Sequence, residues 1–189
     1  MSDNYGYREF PTDSIEALLR KLDTPFNTFM APVVYTSADE KILLLGANGR
    51  YRHKIPTSYS KTPKQKEDIG PFGLAQSLTT LLFSEPTGTM LPEEFHYLGL
   101  VKDNPNKNRV IVPLLVDLDY ASDDPRLMPS VQWELEAQDH PLHEWIGLDD
   151  LPNLATTSDK QPTGTEPRIT SKSAVIINFY LEHDTYIDK

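Results

Sequence analysis

Residues Phe72 to Gly88 read FGLAQSLTTLLFSEPTG, an apolar helix that stops at Pro-Thr-Gly between two strand-rich halves of the chain. Leu74, Leu78, Leu81 and Leu82, with Ala75 and Phe83, spread apolar residues over much of the circumference from Gly73 to Ser84, which predicts a heavily buried helix. Pro86 lacks the amide that would continue it, and Gly88 suits a left-handed cap.

Upstream, Asp13 and Glu16 resemble a capping box before Ile15, Leu18, Leu19 and Leu22, so a first helix is expected over 13–22 behind a polar, aromatic arm. Strands are expected over Ala31–Thr36 (APVVYT) and Lys41–Leu45 (KILLL), joined by a turn at Ser37–Glu40. Gly46, Asn48 and Gly49 permit a tight turn into a polar strand-like piece, Arg50–Pro56. Thr57–Gly70, polar and lysine-rich, is expected to be an exposed loop.

Downstream, Phe95–Lys102 and the apolar Arg109–Leu118 form a hairpin pattern about an asparagine-rich turn at Asp103–Asn108. Val131–Ala137 alternates as a half-buried strand does, and Trp145–Pro152 reads as a strand end running into a short helical turn. Asn153–Pro167 is polar enough for an exposed loop. Thr170–Glu182 is expected as a helix with Ala174, Ile177 and Leu181 on one face, while its β-branched and aromatic content makes a strand the competing reading.

The 189 residues, 38% of them hydrophobic, can bury one substantial core, so a single domain over 31–189 is expected, preceded by an N-terminal arm and helix over 1–30. The absence of cysteine excludes disulfides, thiolate metal sites and a cysteine nucleophile. The start MSDNYGYREF has no signal pattern, and the apolar runs fall far short of the roughly 20 residues that span a bilayer, so a soluble, cytoplasmic protein without membrane contact is expected. A net charge of −10 disfavours nucleic acid, with basic residues clustering only between Arg50 and Lys66. Ser58, Ser60 and Ser77 sit in no nucleophile pattern, and there is neither a phosphate loop nor a dinucleotide fingerprint.

In order and spacing, these pieces resemble the Nudix hydrolase superfamily over roughly Ala31 to His183. Three stretches carry the likeness: Lys41–Pro56, an apolar strand, tight turn and aromatic-to-proline segment; Phe95-His96-Tyr97-Leu98-Gly99 with Arg109–Val116; and His143-Glu144-Trp145-Ile146-Gly147-Leu148-Asp149-Asp150-Leu151-Pro152, similar to the family's Trp-containing ending. The resemblance implies an α/β fold, a Nudix-like α/β/α sandwich with a mixed sheet. It also implies a helix whose carboxylates, one turn apart, hold Mg²⁺ against a diphosphate.

Aligned on Gly88, Leu81 replaces that helix's arginine, Leu82 its first glutamate and Pro86 its last, while Glu85 matches one of the paired glutamates. The upstream glutamate falls on Gly73, and Thr57-Ser58 stand where a glycine pair is usual. The helix is therefore a degenerate Nudix box. A Nudix-like domain is expected that binds a nucleotide-type or other phosphorylated ligand, or a protein partner, without standard pyrophosphatase chemistry. The alternatives are a Mg²⁺-dependent hydrolase of nucleoside diphosphate derivatives with displaced carboxylates, and a structural interaction module that pairs with itself or a partner. Glu85 is the candidate catalytic residue. Glu85, Glu93 and Glu94 are the candidate metal ligands, with Glu67-Asp68 as a further acidic pair.

Arg50, Tyr51, Arg52, His53, Lys54 and Phe72 are the candidate ligand contacts, the basic residues for phosphate and the aromatic ones for stacking on a base. Trp133 and Trp145 read as core or pocket-wall residues. Asp139, His140, His143 and Glu144 concentrate possible metal ligands, but His-x-x-His is a common chance pairing and a solvated loop is the stronger reading.

Overall fold

A computed structural model describes residues 7–9, 28–47, 50–59, 63–83, 95–98, 100–104, 109–128, 143–151 and 168–183. Its strands are β1 (Tyr7–Glu9), β2 (Thr28–Thr36), β3 (Lys41–Ala47), β4 (Arg50–Lys54), β5 (Thr57–Tyr59), β6 (His96–Tyr97), β7 (Leu100–Asn104), β8 (Arg109–Ile111), β9 (Leu114–Asp117), β10 (His143–Gly147) and β11 (Arg168–Ile169). The helices are α1 (Pro63–Leu82) and α2 (Ser171–His183). The expected helix at 13–22, the strand at 131–137, the loop at 153–167 and the turn residues Asn48 and Gly49 lie outside the described residues.

The sheet is mixed and organised on β2. Its first half pairs in parallel with β8 (Phe29↔Val110) and antiparallel with β5 (Ala31↔Ser58). Its second half pairs in parallel with β9 (Val33↔Leu114 to Thr36↔Asp117) and meets β3 at Thr36↔Ile42. Outward from there run β3–β4–β11 on one side and β8–β7–β1 on the other, with β10 on β3 and β6 on β9. Tyr7–Glu9, read from sequence as part of an arm, is thus a strand laid antiparallel on β7.

Alternate residues feed two cores, which is why the central strands are apolar throughout. Val33, Tyr35, Leu43, Leu45, Leu114 and Val116 point to the side covered by α1, where they meet Leu74, Ala75, Leu78, Leu82 and Phe83. Val34, Ile42, Leu44 and Leu115 point to the other side, where α2 supplies Ile176, Ile177, Phe179 and Tyr180. A single mixed sheet between two helices is the α/β/α arrangement that the sequence implied.

Several boundaries differ from expectation. Thr57–Gly70 is not a loop: it holds β5 and the first eight residues of α1. Pro63 opens the helix where its missing amide costs nothing. Pro71 lies inside α1 and removes the amide that would reach the carbonyl of residue 67, and Ser77, Thr79 and Thr80 each donate to the carbonyl four residues back (2.8, 2.9 and 3.1 Å).

The apolar run 109–118 is two strands, because Pro113 has no amide to pair. Val112 N instead reaches Met30 O at 2.8 Å, and Leu98 N reaches Pro113 O at 3.3 Å. Strand β7 runs to Asn104, two residues into the expected turn. The 170–182 segment is a helix, not a strand. Thr170 Oγ1 accepts from Ser173 N at 3.4 Å as its cap, and Ser173 Oγ accepts from Ile55 N at 2.9 Å, fixing the helix to the end of β4.

Candidate functional site

The C-terminal turn of α1, where the resemblance places metal-binding chemistry, faces inward. Leu82 is 0% exposed and Phe83 2%, whereas Leu81 is half exposed. Phe83 stands edge-on to Tyr35, with ring centroids 5.4 Å apart at 87°. Tyr35, wholly buried, lies 2.7 Å from Thr79 Oγ1. Since the Thr79 hydroxyl donates to Ala75 O, the Tyr35 phenol is the donor of that bond. Burial pushes the Tyr35 phenol well above the ordinary tyrosine range, partly offset by Thr79.

As described through Phe83, this end of the helix is held by packing and one buried hydrogen bond, and among the described residues it presents no carboxylate for a hard cation. Glu85, Glu93 and Glu94 lie outside the described residues. Among the described residues, no three acidic or histidine side chains gather as a metal site.

The candidate ligand contacts are divided by the sheet. His53 is opposite Gly46, between Leu44 and Ile55 of the α2-side core, while Lys54 is opposite Leu45 of the α1-side core. Phe72 packs on the α1 side, so Lys54 and Phe72 share a face from which His53 points away. Arg50, Tyr51 and Arg52 lie on β4, Arg50 opposite Ala47 and Arg52 beside Arg168 of β11.

His143 and Glu144 are strand residues of β10, not loop residues. They pair with Leu45 and Leu44, so they take opposite faces and cannot serve one metal. His140 and Asp139 lie outside the described residues.

The register does bring together two residues from separate candidate groups. His53 Nε2 stands 3.4 Å from Glu144 Oε2, with side-chain-free Gly46 opposite the histidine. The contact is within ion-pair range but out of hydrogen-bond alignment, and among the described residues neither ring nitrogen has a hydrogen-bond partner. Burial lowers the His53 pKa below its usual value, and Glu144 opposes that shift. Glu144 is too exposed, at 45%, for the pair to contribute much when charged.

Two features carried no signal in the sequence. Asp39 accepts from Ser122 N (2.6 Å), Ser122 Oγ (2.7 Å) and Lys41 Nζ (2.8 Å), stapling the β2–β3 turn to the segment after β9. The Lys41 bond, then those of Ser37 and Ser122, hold the Asp39 carboxyl well below the usual carboxylate range. Glu40, in the same turn, adopts a left-handed backbone (φ 57°). The second feature is a pair of buried donors on the α1 face, Tyr97 Oη and Trp145 Nε1, that have no hydrogen-bond partner among the described residues.

No known family's sequence profile matches the chain, and neither does any curated protein sequence. Solved structures do match. The MutT protein from Methanosarcina mazei Go1 aligns with a TM-score of 0.51 at 12% identity, over 89% of this chain and 99% of that one. The NUDIX domain of Shewanella oneidensis NrtR, determined with ADP ribose, aligns with a TM-score of 0.51 at 11% identity, over 90% and 98%. The C-terminal domain of mouse MUTYH, determined in complex with human PCNA, aligns with a TM-score of 0.51 at 11% identity, over 84% and 90%. At such identities the likeness concerns the fold, and by architecture and neighbours alike this chain has a Nudix-like fold.

Proposed function

We propose that this Nudix-like domain binds a nucleotide-type or other phosphorylated ligand and does not perform the metal-dependent pyrophosphate cleavage of the superfamily's enzymes. The observation that carries this reading is Leu82. It aligns with the first glutamate of the metal-binding helix, and its side chain is wholly buried in the α1-side core. A carboxylate there would be desolvated, with no cation among the described residues of that core to compensate it. A Nudix-fold neighbour determined with ADP ribose makes a nucleotide derivative the first ligand class to try.

Thermal unfolding with ADP ribose, ADP and AMP, each with and without Mg²⁺, tests the proposal. A ligand at 100 times its Kd stabilises the fold by about 2.7 kcal/mol, a shift of several degrees in a chain of this size. Metal-independent stabilisation without release of phosphate or AMP is expected. Mg²⁺-dependent release that disappears in Glu85→Gln would instead establish a hydrolase with displaced carboxylates drawn from Glu85, Glu67, Glu93 and Glu94. A flat response to every phosphorylated ligand rejects both and leaves a partner-binding module.

A further inference from the structure

Among the described residues, His53 is the one buried side chain whose charge can change near neutral pH. Both its ring nitrogens are shut off from solvent, and among the described residues neither is hydrogen-bonded. A neutral ring can be buried in that way, but an imidazolium needs partners. Glu144 of β10 is the acid that faces it, 3.4 Å from Nε2, yet Glu144 is half exposed and out of hydrogen-bond alignment, and nothing accepts from Nδ1. The other elements on this face bring no charge to the ring. β3 presents Gly46 and β11 presents Ile169, Tyr51 lies two residues earlier on β4, and α2 adds the phenol of Tyr180 to the same core. Lys172 of α2 is directed at Met30 instead, Nζ to Sδ 3.6 Å. Burial therefore outweighs Glu144 in setting the ring's hold on a proton.

The two neighbours of β4 differ in how readily they part from it. β3 is fixed on its far side by five register pairs with β10. β11 holds β4 by two register pairs and by Thr170 N donating to His53 O at 2.9 Å. Immediately after β11, α2 begins at Ser171, and its Ser173 Oγ accepts from Ile55 N at 2.9 Å. The titrating ring and the attachment of α2 thus share one short stretch of β4. We propose that His53 is a proton-operated latch on β11 and the first turn of α2: neutral, it lets them close on β4; protonated, it draws in water by parting β11 from β4, which frees Thr170 and Ser173 while the central sheet stays folded.

Amide hydrogen exchange of the full chain, corrected for the intrinsic rate at each pH, tests the latch at the amides of Thr170 and Ile55. The hydrated ring takes up a proton below its ordinary pKa near 6.5 more readily than the buried one, so acid favours the open form. The opening equilibrium is expected to rise by up to about tenfold between about pH 7.5 and 5.5. It is expected to be insensitive to low urea, because a local opening exposes little surface. His53→Phe keeps a ring without titrating nitrogens and is expected to abolish the rise, with His53→Gln giving the same readout if the phenylalanine is not accommodated. Glu144→Gln is expected to retain it. A flat opening equilibrium, or a rise that survives in the His53 variants, overturns the latch, and loss of the rise in Glu144→Gln assigns the proton to the glutamate and overturns it too. Urea dependence as steep at Thr170 and Ile55 as at Val34 and Tyr35 also overturns it, since the opening would then be global unfolding.

Discussion

Placing a carboxylate on α1 by Leu82→Glu, at the position that the proposed reading aligns with a metal-binding glutamate, puts that reading at risk most directly. Leu82 is wholly buried among Tyr35, Leu78, Phe83 and the strands beneath them. Removing its side chain from such a site costs about 2–5 kcal/mol. A glutamate placed there must also be neutral, and protonating a carboxyl of ordinary pKa at pH 7 costs about 1.36 kcal/mol for each of some 2.7 pH units, roughly 3.7 kcal/mol. Together these reach about 6–9 kcal/mol, comparable with the whole stability of an ordinary domain.

Urea unfolding of Leu82→Glu is therefore expected to show a chain largely unfolded at pH 7. The variant should recover part of its deficit as the pH falls towards 4.3, because a carboxyl whose pKa is raised by folding destabilises only above its unfolded pKa. Leu82→Met, which keeps volume and polarity, is expected to cost less than about 1.5 kcal/mol. If Leu82→Glu instead matches the wild type at pH 7 and gains stability on adding Mg²⁺, the position faces a cation site and the argument from burial is wrong.

Tyr35→Phe deletes the donor to Thr79 without changing volume, and is expected to cost about 1–2 kcal/mol, read as a fall of a few degrees in Tm. His53, its pKa lowered by burial, gives no pH dependence above its unfolded pKa near 6.5. Below that the unfolded chain takes up the proton more readily, so stability should fall by up to about 1.4 kcal/mol per pH unit. His53→Gln should flatten that slope between pH 5 and 6.5 in urea titrations, and an unchanged slope would place the proton elsewhere.

The sheet's central strands were legible because both of their faces are buried, which leaves continuous apolar runs such as Lys41–Leu45. The start of α1 was not. From Pro63 to Gly70 the residues are polar and carry no apolar period, and Gly70, Pro71 and Gly73 all argue against a helix interior, yet the chain is helical through them. The candidate site was legible in its residue types but not in its geometry. Arg50 to Lys54 looked like one basic surface. A strand turns neighbours to opposite faces, and only the pairing of Lys54 with Leu45 reveals which side each takes. The meeting of His53 with Glu144, 91 positions apart in the chain, depends on three strands in register and on the bare Gly46 opposite the histidine. No local pattern encodes that.

The placement of β2 also sets a timetable for synthesis. Val33 finds its parallel neighbour at Leu114, so 114 − 33 = 81 further residues must be made before that ladder can begin to close. At about 5–20 residues per second this takes roughly 4–16 s. Through that interval the apolar stretch from Ala31 to Tyr35 has β3 and β5 within reach but neither of the parallel strands that complete its edge. The strand that organises the finished sheet is thus made early and completed late, and β3 and β4 wait longer still, for β10 and β11, so the nascent chain carries apolar strand edges that the folded protein does not.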